Sequence, residues 1–424
     1  MGEQSKKRER ATAGSEPRPC ETRPRTSEAE NERAKRVDRV NQTAKMSSLD
    51  LSDMDLIDVK VVGTNILVYE GPIYEVQYSL KGVTLLDLSN NLLVKLPDNL
   101  PESLEKLLCS NNALVSLPNV LPSKLRTLDC SDNQLTSLPD NLPGGLRKLS
   151  CSGNQITSLP LLPKGLKKLN YSFNPISDHP TSFPPGLLEL GCKGLNLVRL
   201  PDCLPESLTI LNCSANILAC LPDSLPKGLV ILECYQNQLT DLPLSLPQSL
   251  RTLECSINPL NSLPEVLPKG LENLYCCNCQ LTSLPENLPE KLERLYCIRN
   301  QLTRLPLLPS GLQRLDCSQN QLISLPSLPK TLDILGCSEN QLKQLPESSR
   351  GLERLLCNKN PLQYVPFFKN RPRLLIVPGV LTEKYSVGNY REGYQTQELN
   401  RYVVLTFFFE MSFHVDFLEP DVFV

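Results

Sequence analysis

Apolar residues recur along most of the chain in one phrase, L-x-x-L-x-C-x-x-N-x-L-x-x-L-P. The stretch from Leu125 to Pro139, LRTLDCSDNQLTSLP, is a clear copy. Within L-x-x-L-x-C the inward positions alternate with outward ones. Leu128 and Cys130 therefore point to one side of a short strand, and Asp129 and Ser131 to the other. The phrase returns every 20 or 21 residues, giving fourteen units. One unit cannot bury its own leucines, but stacked units pool them into a continuous core beneath a parallel sheet. The Leu-Pro pairs in the second half of each unit lack a donor and hold φ near one value. They predict an extended, polyproline-like return path rather than a helix.

The turn after each strand leaves backbone groups that a regular sheet does not pair. An amide side chain carries two donors and an acceptor, so a buried Asn column can serve those groups from unit to unit. The column is Asn91, Asn112, Asn133, Asn154, Asn174, Asn216, Asn237, Asn258, Asn300, Asn320, Asn340 and Asn360. Leu195 and Cys279 occupy it in the other two units. Leu195 offers no polar atom, so a weak point is expected there; Cys279 reads as a small polar stand-in. A fixed period with this internal pattern is the leucine-rich-repeat signature. The predicted fold is a leucine-rich-repeat solenoid of about 14 repeats, with a curved parallel β-sheet on its concave face and an extended convex side.

Four segments follow from this reading. Residues 1–46 are charged and nearly free of large apolar residues, which predicts a disordered leader. Its basic cluster, Lys6 to Arg10, reads as ordinary solvated charge before it reads as an import signal. A leader of this composition also permits a secretion signal. Residues 47–82 hold short strand-like runs split by Gly63 and Gly71-Pro72, and are expected to form an N-terminal cap. The solenoid runs over 83–366. Residues 367–424, with eight of the ten Phe, are expected to be a C-terminal cap or tail.

Composition narrows the chemistry. The net charge of −2 points to neither nucleic acid nor a membrane surface as partner, and no apolar run is long enough to insert in a bilayer. Twelve of the seventeen Cys fall at the inward strand position. In-register side chains on parallel strands sit too far apart for a disulfide, so these read as small hydrophobes. Free buried thiols suit a reducing, cytoplasmic compartment. Tyr275-Cys276-Cys277-Asn278-Cys279, with Cys297 one strand on, also admits a metal or redox-sensor reading. Cys277 should face outward, however, and no paired C-x-x-C motifs exist, so no metal or cofactor is expected. His179 falls where the motif wants an apolar residue and reads as packing. A glycine-rich phosphate loop and a His-based triad are both missing from the sequence, which favours a non-enzymatic role.

The outward strand positions define the concave face. In units eight to eleven they bring Tyr235, Tyr275, Tyr296 and Ile298 beside Glu233, Glu254 and Asp316. Aromatics ringed by charge are what a protein-binding hot spot needs. The competing reading is that sheet surfaces favour aromatics for packing. Arg294, Arg314 and Arg354 recur just before the inward Leu in the later units, as a flank for an acidic partner or as solvated charge.

Units such as LRTLDCSDNQLTSLPDNLPGGL and LERLYCIRNQLTRLPLLPSGL resemble the short Leu-Pro-rich repeats of the YopM- and IpaH-type effectors that Gram-negative pathogens inject into host cells. The resemblance covers about residues 83–366 and implies a scaffold that binds host proteins. That family usually has Leu or Val where this chain has Cys, and a helical hairpin where 47–82 reads as strands. Its ligase branch adds a helical domain with a catalytic Cys in a Cys-x-Asp motif. The segment after the repeats here contains no Cys, and Cys130-Ser131-Asp132 is an ordinary repeat position. The resemblance therefore implies the adaptor branch. The recognition part of a ligase lacking its catalytic domain stands as the alternative.

Overall fold

The structure is a computed structural model that describes residues 47–69, 75–176, 180, 182–200, 204–346, 352–363 and 374–376. The leader, His179 and all of 367–424 except 374–376 lie outside the described residues.

Each repeat places its x-L-x triplet in a strand. The chain opens with β1 (Ser48–Asp50), β2 (Asp58–Val62), β3 (Asn65–Tyr69) and β4 (Glu75–Ser79). The first repeats then supply β5 (Leu85–Asp87), β6 (Lys106–Leu108), β7 (Thr127–Asp129), β8 (Lys148–Ser150), β9 (Lys168–Asn170), β10 (Glu189–Gly191) and β11 (Ile210–Asn212). The later ones supply β12 (Ile231–Glu233), β13 (Thr252–Glu254), β14 (Asn273–Tyr275), β15 (Arg294–Tyr296), β16 (Arg314–Asp316), β17 (Ile334–Gly336) and β18 (Arg354–Leu356), and β19 (Leu374–Ile376) follows.

Among the described residues, β1 and β5 to β19 form one sixteen-stranded sheet in chain order. Strands spaced about 4.8 Å apart make it about 70 Å long. Pairing is parallel and in register, so Leu86 faces Leu107 and Leu107 faces Leu128. That register follows from the constant period, because a slip of one residue would turn every Leu outward. β2, β3 and β4 form a separate antiparallel sheet. Its Val59, Ile66 and Val68 join the same core as the repeat leucines.

Proline shapes the return path. The Pro122 carbonyl accepts from the Leu125 N–H at 3.0 Å, closing a four-residue turn into the next strand, and Pro143–Leu146 and Pro247–Leu250 repeat it. No helix forms among the described residues. A left-handed residue stands just before the Asn position in most units, as at Asn111, Asp132 and Asn278.

The twelve inward strand cysteines are buried free thiols. Several donate to the carbonyl of the next strand. Cys130 reaches Ser150 O at 3.4 Å, and Cys317 reaches Gly336 O at 3.4 Å. Burial holds them protonated, pushing Cys151 and Cys192 up to about 12.

The Asn column bonds as a ladder. Asn133 Nδ2 donates to Cys130 O, Ser131 O and, in the preceding unit, Cys109 O, at 2.9–3.1 Å. Its Oδ1 accepts from the preceding unit's Leu114 N–H at 3.0 Å. Leu195 interrupts this pattern, but the expected gap is partly filled from the following unit. Asn216 Oδ1 accepts from both Leu195 N–H and Leu197 N–H. Cys279 is a weaker stand-in, with Sγ 3.5 Å from Cys277 O and 3.6 Å from Cys255 O. Its thiol leaves the Leu260 N–H without the side-chain carbonyl that the regular units provide.

Candidate functional site

The in-register sheet converts a spacing of 20 or 21 residues into a strand-to-strand row. Glu233 pairs with Glu254, Glu254 with Tyr275, Tyr275 with Tyr296, and Tyr296 with Asp316. Five of the seven residues expected at the site therefore form one line across β12 to β16. Tyr235 and Ile298 lie two residues beyond that line, in the neighbouring row.

The two tyrosines stack, with ring centroids 5.2 Å apart and planes within 13°. Arg294 lies beside Tyr275 and Arg314 beside Tyr296, close enough to act on the phenols. Burial pushes both phenols up, and those arginines pull them back. The arginine flank therefore sits beside the tyrosine pair on the same face.

The expected display needs a correction at two positions. Tyr296 is only 6% exposed and Glu254 only 7%. Tyr235, Tyr275, Ile298, Glu233 and Asp316 are half-buried. The accessible part of the tyrosine pair is Tyr275.

Each carboxylate is held differently. Burial pushes Glu254 up to about 7; the Ser256 hydroxyl and N–H oppose the shift, and Glu233 adds to it. The Ser256 N–H donates to Glu254 Oε1 at 2.9 Å. Asp316 is raised by burial and steadied by the Ser318 N–H at 3.0 Å. It leans over Gly336, where an added Cβ would collide with its carboxylate. Glu233 is raised by burial and lowered by Lys193, and it accepts from Asn212 Nδ2.

Three residues belong to this surface that the motif reading did not single out. Lys193 donates to the Tyr235 hydroxyl. Its Nζ lies 4.8 Å from the Tyr235 ring centroid and 5.3 Å from that of Phe173. Ile257 is 45% exposed at φ 55°, a conformation that disfavours a β-branched residue. A signal existed in each column. Lys193 breaks a run of Ser, and Phe173 and Ile257 stand where the other units carry Asn, Asp, Gly, Ala, Gln or charged residues.

Among the described residues, no group of three or more His, Cys, Asp or Glu is placed to hold a metal ion. No helix among them is long and apolar enough to cross a membrane.

Comparison with known proteins places this geometry. Residues 123–164 match the family model for leucine-rich repeats in two copies. The fold is similar to that of YopM, a leucine-rich effector protein from Yersinia pestis. Identity to that structure is 33%, covering 72% of this chain and 88% of that one, at a TM-score of 0.63. The chain belongs to the leucine-rich-repeat proteins. The functional domain of InlJ from Listeria monocytogenes, which includes a cysteine ladder, shares the solenoid fold. It has 23% identity over 76% of this chain and 69% of that one, at a TM-score of 0.62. A leucine-rich-repeat protein of Leptospira interrogans reaches 24% identity over 77% of this chain and 93% of that one, at a TM-score of 0.50. No curated protein matches the chain. Leucine-rich-repeat solenoids are typically non-enzymatic scaffolds that mediate protein–protein contact, and this one has the concave face such a role requires.

Proposed function

We propose that this leucine-rich-repeat protein is a non-enzymatic adaptor that holds a protein partner on its concave sheet. We further propose that it acts as an effector inside a host cell, with 47–82 as an N-terminal cap and the solenoid at 83–366. The observation that carries the binding role is the Tyr275–Tyr296 stack, set in register between Glu254 and Asp316. An aromatic side chain locked by its neighbour loses little freedom on binding, and the carboxylates beside it supply orientation. The likeness to YopM supports the effector role, since that neighbour is an effector protein from a pathogen. The buried free thiols favour a reducing compartment such as the cytoplasm, because that chemistry survives best there.

The test is capture of a partner from eukaryotic cytosol by the full chain, beside Tyr275→Ala. Tyr296 is a poor target because truncating a buried ring opens a cavity. Circular dichroism should show both proteins folded alike. A partner identified with the parent and lost with Tyr275→Ala is the expected result. Equal capture by both proteins would remove units eight to eleven as the site.

A further inference from the structure

The net charge of −2 averages over a strongly uneven edge. Residues 123–168 carry seven Lys and Arg against three Asp. Asp129 ends β7, Asp132 stands in the turn after it, and Asp140 lies in the return path. The cations gather instead where each strand begins.

Register lines them up. The Arg147 N–H donates to Arg126 O at 2.7 Å and the Lys167 N–H to Arg147 O at 2.8 Å, so these three hold consecutive places in one row. Lys148 opens β8 directly opposite Lys168 of β9. Lys164 lies just ahead of the row and, like Arg126, Arg147, Lys167 and Lys168, is exposed. Acids border the patch without neutralising it. Arg126 meets Glu105 at 3.7 Å and Lys168 meets Glu189 at 2.7 Å. Arg147, Lys148, Lys164 and Lys167 form no ion pair among the described residues. Two of them are steadied by backbone: Lys167 Nζ donates to Gly186 O at 3.0 Å, and the Arg147 guanidinium lies where a Cβ on Gly165 would sit. Like charges at the strand spacing of about 4.8 Å repel one another. A later part of the same row avoids this, since Glu272 follows Arg251 and pairs with it.

Two apolar side chains project beside these cations. Val120 is 74% exposed and lies four residues before Lys124; Leu161 is 90% exposed and lies three residues before Lys164. A cationic row alone suits any polyanion, and the projecting Leu and Val choose among them. Single-stranded nucleic acid is held by aromatic faces, and this row carries none. An acidic peptide gains little from a Leu that stands out from a surface instead of lining a pocket. A bilayer interface takes both features, phosphate for the cations and an apolar boundary for the Leu.

We infer that the edge where β7 to β9 begin docks on an anionic lipid surface. Arg126, Arg147, Lys148, Lys164 and Lys167 meet headgroup phosphates, and Val120 and Leu161 reach the headgroup–acyl boundary. β14, with Tyr275, lies five strands beyond β9, about 24 Å away. A docked chain therefore keeps the tyrosine row open to a protein partner.

Co-sedimentation of the full chain with vesicles tests this. One set is phosphatidylcholine alone, and the other carries about a third phosphatidylserine. The expected result is binding to the anionic vesicles only, weakening as salt rises. Arg147→Gln/Lys167→Gln should bind at least tenfold less tightly, and Leu161→Ser several-fold less. All three side chains are exposed, so circular dichroism should show the variants folded like the parent. No binding to anionic vesicles, or equal binding to neutral ones, would overturn the inference. Undiminished binding of the double variant would also overturn it, and would assign the affinity to the basic cluster from Lys6 to Arg10. An unaltered Leu161→Ser would remove the lipid boundary from the contact and the inference with it. Labelled polyglutamate or oligonucleotide that binds through Arg147 and Lys167 while vesicles do not would give the edge to a soluble polyanion instead. Tyr275→Ala should leave vesicle binding unchanged, so the concave-face reading stands or falls separately.

Discussion

Lys193 and Tyr235 lie forty-two residues apart in the chain, two repeats, yet the lysine ammonium donates to the tyrosine hydroxyl across the strand between them. The same ammonium sits against the Tyr235 and Phe173 rings. Ser214 belongs to the intervening unit and is fully buried. The contact ties the irregular fifth and sixth units to the regular eighth.

That tie should be measurable. A double-mutant cycle of Lys193→Ala and Tyr235→Ala, followed by denaturant unfolding, should give a coupling of about 0.5–2 kcal/mol. Additive losses would mean that the two side chains act independently.

The Asn ladder predicts opposite effects at neighbouring positions. Asn258 accepts from Leu239 N–H and donates to Cys234, Cys255 and Ser256 carbonyls. Asn258→Ala should destabilise by about 3 kcal/mol, because buried backbone groups lose their partners. Cys279→Asn should stabilise by about 1 kcal/mol by supplying the missing acceptor to Leu260. Chemical denaturation of the two variants against the parent decides both.

Glu254 makes stability depend on pH. Its folded value of about 7 lies above the ordinary carboxyl value of 4.5, so the folded state holds a proton that the unfolded chain has already lost between those values. Stability should therefore fall as pH rises from about 4.5 to 7, by up to about 3 kcal/mol. Glu233 on the adjacent strand contributes in the same sense. Glu254→Gln should flatten the profile and melt higher than the parent at pH 8. An unchanged melting profile between pH 5 and 8 would contradict this.

Thiol reactivity should separate by position. Cys220 is exposed, while Cys255, Cys276 and Cys297 are buried and held protonated. Mass mapping after brief alkylation under native conditions should find Cys220 labelled and those three protected. Full labelling of the three should require denaturant.

The repeat alone determined a great deal of this protein. Period, inward leucines, proline-shaped return and Asn column are local devices, each repeated until every copy supports the next. Leu128, Cys130 and Asn133 therefore declared their places in the chain itself. A constant register also put Glu233, Glu254, Tyr275, Tyr296 and Asp316 in one row before any coordinate was known, since a row needs only the period.

Only the tertiary structure decided what that row exposes. Burial of Tyr296 and Glu254 depends on how neighbouring side chains lean, and periodicity carries no such information. The Lys193 contact depends on side-chain reach across an intervening unit, and the left-handed backbone under Ile257 appears only when the turn is built. The repair of the Leu195 gap by Asn216 has the same cause. A partner two repeats distant in contact, or one unit displaced in hydrogen bonding, is set by three-dimensional distance, which a column of letters does not contain.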